Sequence, residues 1–288
     1  MLNRYLAGSA LLLCTAACLA FGQASSSRAA HLPNPIFAYE LGAISPEQQA
    51  QLIHETGFEG TVFDGTNLLP ERLRAVDDQH VQLFFLWLTV DVGDGHIAYE
   101  RGMEEAIREL KGRNTVVWLA VKGSGAGAEQ RAIEASRRVS DLASEANLRV
   151  ALYPHYGFYL ARLSDVLRVA EEAQRSNLGV TFNLCHELRS GFDPDGTAPI
   201  QSALPRLYAV TVNGADREGH DWSTLIQPLG HGDFNVAGLL RSLVSIGYRG
   251  PIGLQCYGIK EDPRKLLTRS MEEWRKMALQ ASLSQSER

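Results

Sequence analysis

The chain has 288 residues, a formal net charge of −5 and a hydrophobic fraction of 45%. No Lys/Arg cluster is dense enough to follow a nucleic-acid backbone or an anionic membrane surface, so neither class of partner is expected. The length suits one large α/β barrel or two small domains.

Residues 1–24 are predicted to be a secretory signal peptide. A short basic start precedes an uncharged apolar run over residues 6–21, and Gly22-Gln23-Ala24 then offers a small-residue cleavage site. The run is too short to favour a membrane anchor. We therefore expect an exported protein, periplasmic or extracellular, with no membrane contact after cleavage. A lipoprotein anchor at Cys18 is the weaker alternative, because Thr15 stands where a lipobox usually has an aliphatic residue.

Residues 25–35 form a polar leader that we expect to be loosely ordered, and strands alternate with helices over residues 36–281. The predicted strands cover residues 36–40, 60–64, 81–89, 115–121, 148–152, 179–182, 207–212 and 251–255. The almost continuous apolar run at 81–89 is typical of a strand that is buried on both faces. Eight such units in this length predict a single-domain α/β protein, a (β/α)8 TIM barrel.

Helix boundaries follow from capping residues. Ser45 and Pro46 predict one helix start, Ser164 a second, and Asp262 with Pro263 a third. A further helix is predicted near residues 99–111.

Two cysteines, Cys185 and Cys256, lie outside the signal peptide. They end the sixth and eighth predicted strands, whose backbones are roughly 9–10 Å apart, too far for a disulfide. We expect two free, buried thiols.

In a barrel of this class, the functional site lies at the C-terminal ends of the strands. The polar or aromatic candidates there are Glu40, Asp64, Trp87, Lys122, His155, Asn183, His186, Asn213, Gln255 and Tyr257. His155 and His186 are the candidate catalytic residues, and the other eight are candidates for substrate binding. The two histidines follow strands joined by one helix, so we expect them to meet at one mouth.

Each candidate also has a structural interpretation. A lone histidine is more often structural than catalytic, and two at one mouth make the alternatives about even. Asn183 and Gln255 could orient sugar hydroxyls or bind loop backbone. Trp87 could support a sugar ring, although a core position is the commoner one. His231 precedes a helix that it could cap.

Other chemistries lack their motifs. The run Gly123-Ser124-Gly125-Ala126-Gly127 has no following Lys-Ser/Thr, so it is interpreted as a flexible loop and not as a phosphate loop. No Gly-x-Ser-x-Gly elbow occurs, which leaves a serine hydrolase unsupported. Cys185 and His186 are neighbours on a predicted strand and face opposite sides, so Cys185 is assigned to the core.

Three segments resemble one known family. Residues 56–60 (TGFEG), 179–186 (GVTFNLCH) and 247–255 (GYRGPIGLQ), with LGHGDF at 229–234, are similar to the xylose isomerase-like TIM barrels of the sugar phosphate isomerase/epimerase superfamily. The resemblance covers roughly residues 36–278. It implies an enzyme that acts on a small carbohydrate, but it does not specify a substrate.

The resemblance also implies a divalent metal, Mn, Mg, Zn or Co, held by Glu, Asp, His and Glu at the ends of later strands. At those positions this chain has Tyr153, Asn183, Thr211 and Gln255. Neutral side chains do not offset the dehydration of a hard dication, so no cofactor is expected. If a metal is bound, the ligands to consider are His155, Asn183, His186 and Gln255.

Three hypotheses follow. The first is an isomerase, epimerase or lyase of a free or oxidised sugar, in which His155 or His186 is the general base and amides hold oxygen atoms. The second is a sugar-binding barrel without catalysis. The third and weakest is an endonuclease-IV-like protein. The oligomeric state is left open.

Overall fold

The computed structural model describes Leu32, residues 34–191 and residues 198–286. The predicted signal peptide, most of the leader and residues 192–197 lie outside the described residues. The strands are β1 Ile36–Tyr39, β2 Gly60–Asp64, β3 Gln82–Asp91, β4 Ala98–Tyr99, β5 Val116–Lys122, β6 Arg149–Leu152, β7 Leu178–Asn183, β8 Leu207–Val212 and β9 Ile252–Gln255. The helices are α1 Pro46–Thr56, α2 Leu69–Asp78, α3 Met103–Glu109, α4 Ala128–Glu145, α5 Leu163–Ala173, α6 Leu184–Arg189, α7 Ala198–Ala203, α8 Trp222–Leu225, α9 Val236–Ser245 and α10 Pro263–Ser286, with a 3-10 turn at Leu204–Arg206.

Eight parallel strands close into a barrel. The order around the sheet is β2-β1-β9-β8-β7-β6-β5-β3, and β2 also pairs with β3, which closes the ring. The short β4 adds to β3 as an antiparallel edge pair. The (β/α)8 TIM barrel predicted from the alternation of strands and helices is therefore confirmed.

The barrel interior is filled mainly by aromatic rings. Phe37, Phe85 and Trp118 are at most 1% exposed, and the Phe85 and Trp118 rings stack with centroids 4.2 Å apart. A separate, larger layer of aliphatic side chains packs between the outside of the barrel and the helices. The aromatic layer lies beneath the strand C-termini and forms the base on which the functional site is built.

Several predicted boundaries are confirmed and others are corrected. Ser45 caps α1 through a reciprocal capping box with Gln48, and Asp262 caps α10. The helix predicted near 99–111 begins only at Met103, because Ala98–Tyr99 pairs with β3 as β4. Ser164 is not the cap of α5: the N-cap position is Arg162, and the helix begins at Leu163.

The C-terminal end of the leader is packed and not loose. Leu32 is 1% exposed, and the Asn34 amide donates to the carbonyl of Gly250 at 2.9 Å. Asn34 therefore lies against the turn before β9, which the polar composition did not predict.

Two further predictions concern the cysteines and the membrane. Cys185 and Cys256 are free and buried, as predicted. None of the helices in the described part of the chain is long and apolar enough to cross a membrane.

Gly253 makes room for an aromatic ring of the neighbouring strand. A Cβ at this position would lie 2.3 Å from Cζ of Phe37, which pairs with Gly253 across β1 and β9. We predict that Gly253→Ala lowers the free energy of unfolding by about 1–3 kcal/mol, because overpacking displaces the ring. Urea unfolding measures the loss. Phe37→Leu in the same chain should recover part of it, and purely additive effects of the two substitutions would contradict this account.

Candidate active site

The strand C-termini open into one cavity of about 210 Å³. It is lined by Tyr39, Glu40, Val62, Asp64, Trp87, Trp118, Tyr153, His155, His186, Trp222, Ile226, Gln255 and Tyr257. Seven of the ten candidates named from sequence therefore line it: Glu40, Asp64, Trp87, His155, His186, Gln255 and Tyr257. The lining side chains include two imidazoles, two carboxyls and an amide among aromatic surfaces.

The two histidines meet, as predicted, with ring centroids 4.2 Å apart. Both are held by the backbone of Tyr156. Nδ1 of His155 lies 2.9 Å from the Tyr156 carbonyl oxygen, which only accepts, so this nitrogen carries a proton. Nδ1 of His186 accepts from the Tyr156 N–H at 3.3 Å, so this nitrogen carries none. In their neutral forms the two rings are therefore opposite tautomers: Nε2 of His155 has a free lone pair, whereas Nε2 of His186 carries the proton.

A tight turn positions Tyr156. Phe158 N–H donates to the His155 carbonyl, and Gly157 occupies the third turn position with φ 86°, a conformation that favours glycine. The turn is tied to β5 because Tyr159 N–H donates to the carbonyl of Val121. The Phe158 ring stacks on the His155 ring with centroids 4.0 Å apart.

Both imidazoles are neutral at neutral pH. Burial is the main factor that lowers the pKa of His155, and the nearby Lys122 charge lowers it further, against the opposing effect of the Tyr156 hydrogen bond. Burial, and then the neighbouring His155, holds the pKa of His186 well below its usual range. A neutral His155 with a free Nε2 lone pair is able to accept a proton.

A pair of carboxyls lines the cavity at the ends of β1 and β2. Burial, and then the charge of Asp64 and a hydrogen bond with it, raises the pKa of Glu40 to about 8. Glu40 is thus protonated at neutral pH. Its backbone has φ 62°, in the left-handed region that costs a non-glycine residue about 1–2 kcal/mol. Such strain is typical of side chains held at functional sites.

The carboxyl pair and the histidine pair lie on opposite walls. Around the closed ring β6 is four strands from β1 in either direction, and β7 is four strands from β2. Glu40 follows β1 and Asp64 ends β2, whereas His155 and His186 come shortly after β6 and β7. A ligand in the cavity therefore has a proton acceptor on one face and a protonated carboxyl on the other.

The floor of the cavity is a chain of neutral hydrogen bonds. The Tyr39 and Tyr153 hydroxyls are 3.3 Å apart, and the Asn183 amide donates to the Tyr153 hydroxyl. The Asn183 Oδ1 in turn accepts from Sγ of Cys185 at 3.1 Å. Burial, and then the neighbouring Tyr39, raises the pKa of Tyr153 well above its usual value, so this hydroxyl stays protonated.

The loop after β8 and the turn after β6 form the roof. The Trp222 ring lies edge-on to His186 with centroids 5.3 Å apart and also contacts Tyr156. The long polar loop that carries Trp222 was recognisable in the sequence, but nothing in it indicated that this indole folds back over His186.

Three of the predicted binding residues do not line the cavity. Lys122 places its ammonium 5.5 Å from the Phe158 ring centroid, behind His155. Asn183 belongs to the hydrogen-bond chain of the floor, but it is fully buried beneath Tyr153 and does not reach the cavity surface. Asn213 is fully buried, and its amide donates to the carbonyls of Gly214 and Leu225, where it holds the loop after β8.

The structure also shows where Cys185, His231 and Glu187 lie. Cys185 is in the core as predicted, but the reason given was wrong, because it and His186 lie on the helix α6 and not on a strand. His231 is exposed and does not cap α9, whose cap is Asn235. Glu187 accepts from the N–H of Leu163 and anchors α5.

A family model for the xylose isomerase-like TIM barrel matches residues 88–277. The chain belongs to this family. The similar solved structures include 3-keto-D-glucoside 4-epimerase from E. coli (16% identity, TM-score 0.69, covering 84% of this chain and 99% of that one). They also include an L-ribulose 3-epimerase (15% identity, TM-score 0.69, 88% and 97%) and the IOLI protein with a bound zinc atom (13% identity, TM-score 0.63, 87% and 98%).

The chain spans 42% of another structural neighbour, a fusion of a xylose isomerase-like barrel with 4-hydroxyphenylpyruvate dioxygenase. No curated protein matches the chain in sequence. At these identities the structural neighbours establish the fold alone.

The residues of this xylose isomerase-like barrel do not fit the divalent metal that the family implies. Both polar atoms of the Asn183 amide are engaged, and Tyr153 is a protonated phenol. The Gln255 Oε1 accepts from the N–H of Tyr257. Across residues 34–191 and 198–286, no group of three or more His, Cys, Asp or Glu side chains is placed to hold a metal ion.

The hydrogen-bond chain that forms the floor of the cavity can be tested by mutation. Tyr153→Phe leaves the buried Asn183 amide and the Tyr39 hydroxyl without their partner, so the free energy of unfolding should fall by about 1–3 kcal/mol. Tyr208→Phe is the matched control, because the Tyr208 hydroxyl makes only a long 3.5 Å contact near the surface. Equal losses for the two variants in urea unfolding would contradict the assignment of the floor.

Proposed function

We propose that this barrel is an exported carbohydrate isomerase or epimerase that moves a proton at a carbon next to the carbonyl of a free or oxidised sugar. The observation that carries the proposal is the placement of the histidine pair and the carboxyl pair on opposite walls of one cavity. The family membership and two structural neighbours named as sugar epimerases support the substrate class.

The histidines take different roles because their tautomers differ. Nε2 of His155 removes the proton from carbon, and the electron pair of the broken C–H bond moves toward the carbonyl oxygen to give an enol or enolate. The Nε2–H of His186 donates a hydrogen bond to that oxygen. His155 becomes an imidazolium, and its lowered pKa favours the later return of the proton to solvent or substrate.

Glu40 supplies the proton on the other face. Its protonated carboxyl faces the cavity from the wall opposite His155, so protonation of the same carbon there inverts its configuration. Epimerisation with two groups on opposite faces is thus the favoured reaction. Asp64 lies beside Glu40 and is exposed, so Glu40 has access to solvent, from which it regains its proton before the next cycle.

The rest of the cavity suits a neutral sugar. Trp87, Trp222 and Tyr257 offer aromatic surfaces for the apolar face of a ring, and the Gln255 amide offers hydrogen bonds to hydroxyls. The cavity lining includes neither Lys nor Arg, which favours a substrate without phosphate. Location outside the cytoplasm rests on the predicted signal peptide, and no step requires a metal.

We predict a bell-shaped pH profile for epimerisation, followed as inversion at the carbon that exchanges its proton with solvent. Rates should fall on the acid side, at a pH below the ordinary histidine pKa because burial lowers the pKa of His155, and again above about pH 8, where Glu40 loses its proton. The measurement is ¹H NMR in D₂O with free keto-sugars such as D-fructose, D-xylulose and L-ribulose. His155→Gln should lower the rate by about 10²–10⁴-fold.

Two further variants sharpen the test. Glu40→Gln should lower epimerisation and remove the alkaline limb of the profile while it leaves the acid limb in place. His231→Gln, at an exposed histidine away from the cavity, should behave as wild type. Sugar binding without any exchange would instead favour the non-catalytic sugar-binding barrel.

A further inference from the structure

A second cavity, of about 340 Å³, adjoins the first. We call it the outer cavity; its lining residues are Tyr39, Glu40, Leu41, Gly42, Ile44, Pro46, Gln49, Val62, Phe63, Asp64, Leu68 and Arg72. Tyr39, Glu40, Val62 and Asp64 line both cavities. The two spaces therefore meet at the carboxyl pair, and the outer cavity extends from there between the turns that follow β1 and β2.

The chemistry of the outer cavity suits a hydroxylated ring. Arg72 donates one hydrogen bond to the Asp64 carbonyl at 2.5 Å and lies 5.5 Å from the Phe63 ring centroid. No ion pair joins Arg72 to a carboxylate of the described residues, so its other N–H groups can bind ligand hydroxyls. Ile44 and Pro46 add apolar surface. Donors beside apolar surface match the two faces of a sugar.

The backbone around the outer cavity is strained on both sides. Glu40 has φ 62° and Leu68 has φ 52°, and both line it. Leu68 is in addition 55% exposed, although a leucine gains stability from burial. The backbone of Leu68 has a folding role, because its carbonyl accepts from the N–H of Arg72 at the start of α2. Its exposed side chain has no such role, and a ligand in the outer cavity covers it.

We infer that the outer cavity holds the second sugar ring of a disaccharide or glycoside whose first ring reacts in the central cavity. This inference rests on the proposed function. A substituent on the Glu40 side of the reacting ring has the outer cavity directly in front of it, so the substrate is larger than one monosaccharide. The carboxyl pair then lies at the junction between the two rings.

The test compares affinities for one and two rings by titration calorimetry of the purified protein. The probe pairs are D-glucose with cellobiose and D-fructose with lactulose. In at least one pair the disaccharide should bind tenfold or more tightly than its monosaccharide. Ile44→Trp, which fills the outer cavity, should abolish that difference and change monosaccharide affinity less than twofold.

Leu52→Trp is the matched control, since it adds the same ring to α1 at a half-buried leucine outside both cavities. It should keep the preference for two rings. Equal affinities within both pairs, or a preference that survives Ile44→Trp, would overturn the inference. The proposed function fails differently: sugars then bind in the central cavity, but their C–H protons do not exchange.

Discussion

The N–H and the C=O of Tyr156 hold the two imidazoles of the cavity from a single point of the chain. One group only donates and the other only accepts, so the two rings have opposite tautomers for as long as the turn keeps its shape. Gly157 permits that turn, and the link from Tyr159 to β5 secures it. The roles that we propose for His155 and His186 depend on this arrangement. Without it the pair would be two equivalent, exchangeable rings.

A second constraint is the absence of charged side chains from the cavity floor at Tyr153 and Asn183. Tyr153 and Asn183 satisfy each other below the cavity, and neither brings a charge to the positions where the family implies metal ligands. The carboxyls that the cavity does contain lie on the opposite side of the barrel, on β1 and β2, where burial makes Glu40 an acid and not a ligand. In the reaction we propose, the Nε2–H of His186 polarises the substrate carbonyl, which a cation would do elsewhere, and Glu40 supplies the proton from the opposite wall.

The fold could be predicted from the sequence because strand and helix periods alternate eight times, and the side on which the site lies follows from that topology alone. The meeting of His155 with His186 was predictable for the same reason. The hydrogen-bond partners of the amide side chains were not predictable from the sequence. Asn183 and Asn213 sit at strand ends like Gln255, but their partners, the Tyr153 hydroxyl and the loop carbonyl of Leu225, come from distant parts of the chain. Position along a strand does not determine which hydrogen bond a side chain makes. The tautomers likewise could not be predicted, because they depend on how the turn at Tyr156 places its N–H and C=O against the two rings.

The most direct measurement is ¹⁵N NMR of histidine-labelled protein near neutral pH, with the two signals assigned through His155→Gln and His186→Gln. We expect two neutral rings of opposite tautomer, His155 protonated on Nδ1 and His186 protonated on Nε2. An imidazolium at either position, or the same tautomer on both rings, would contradict it.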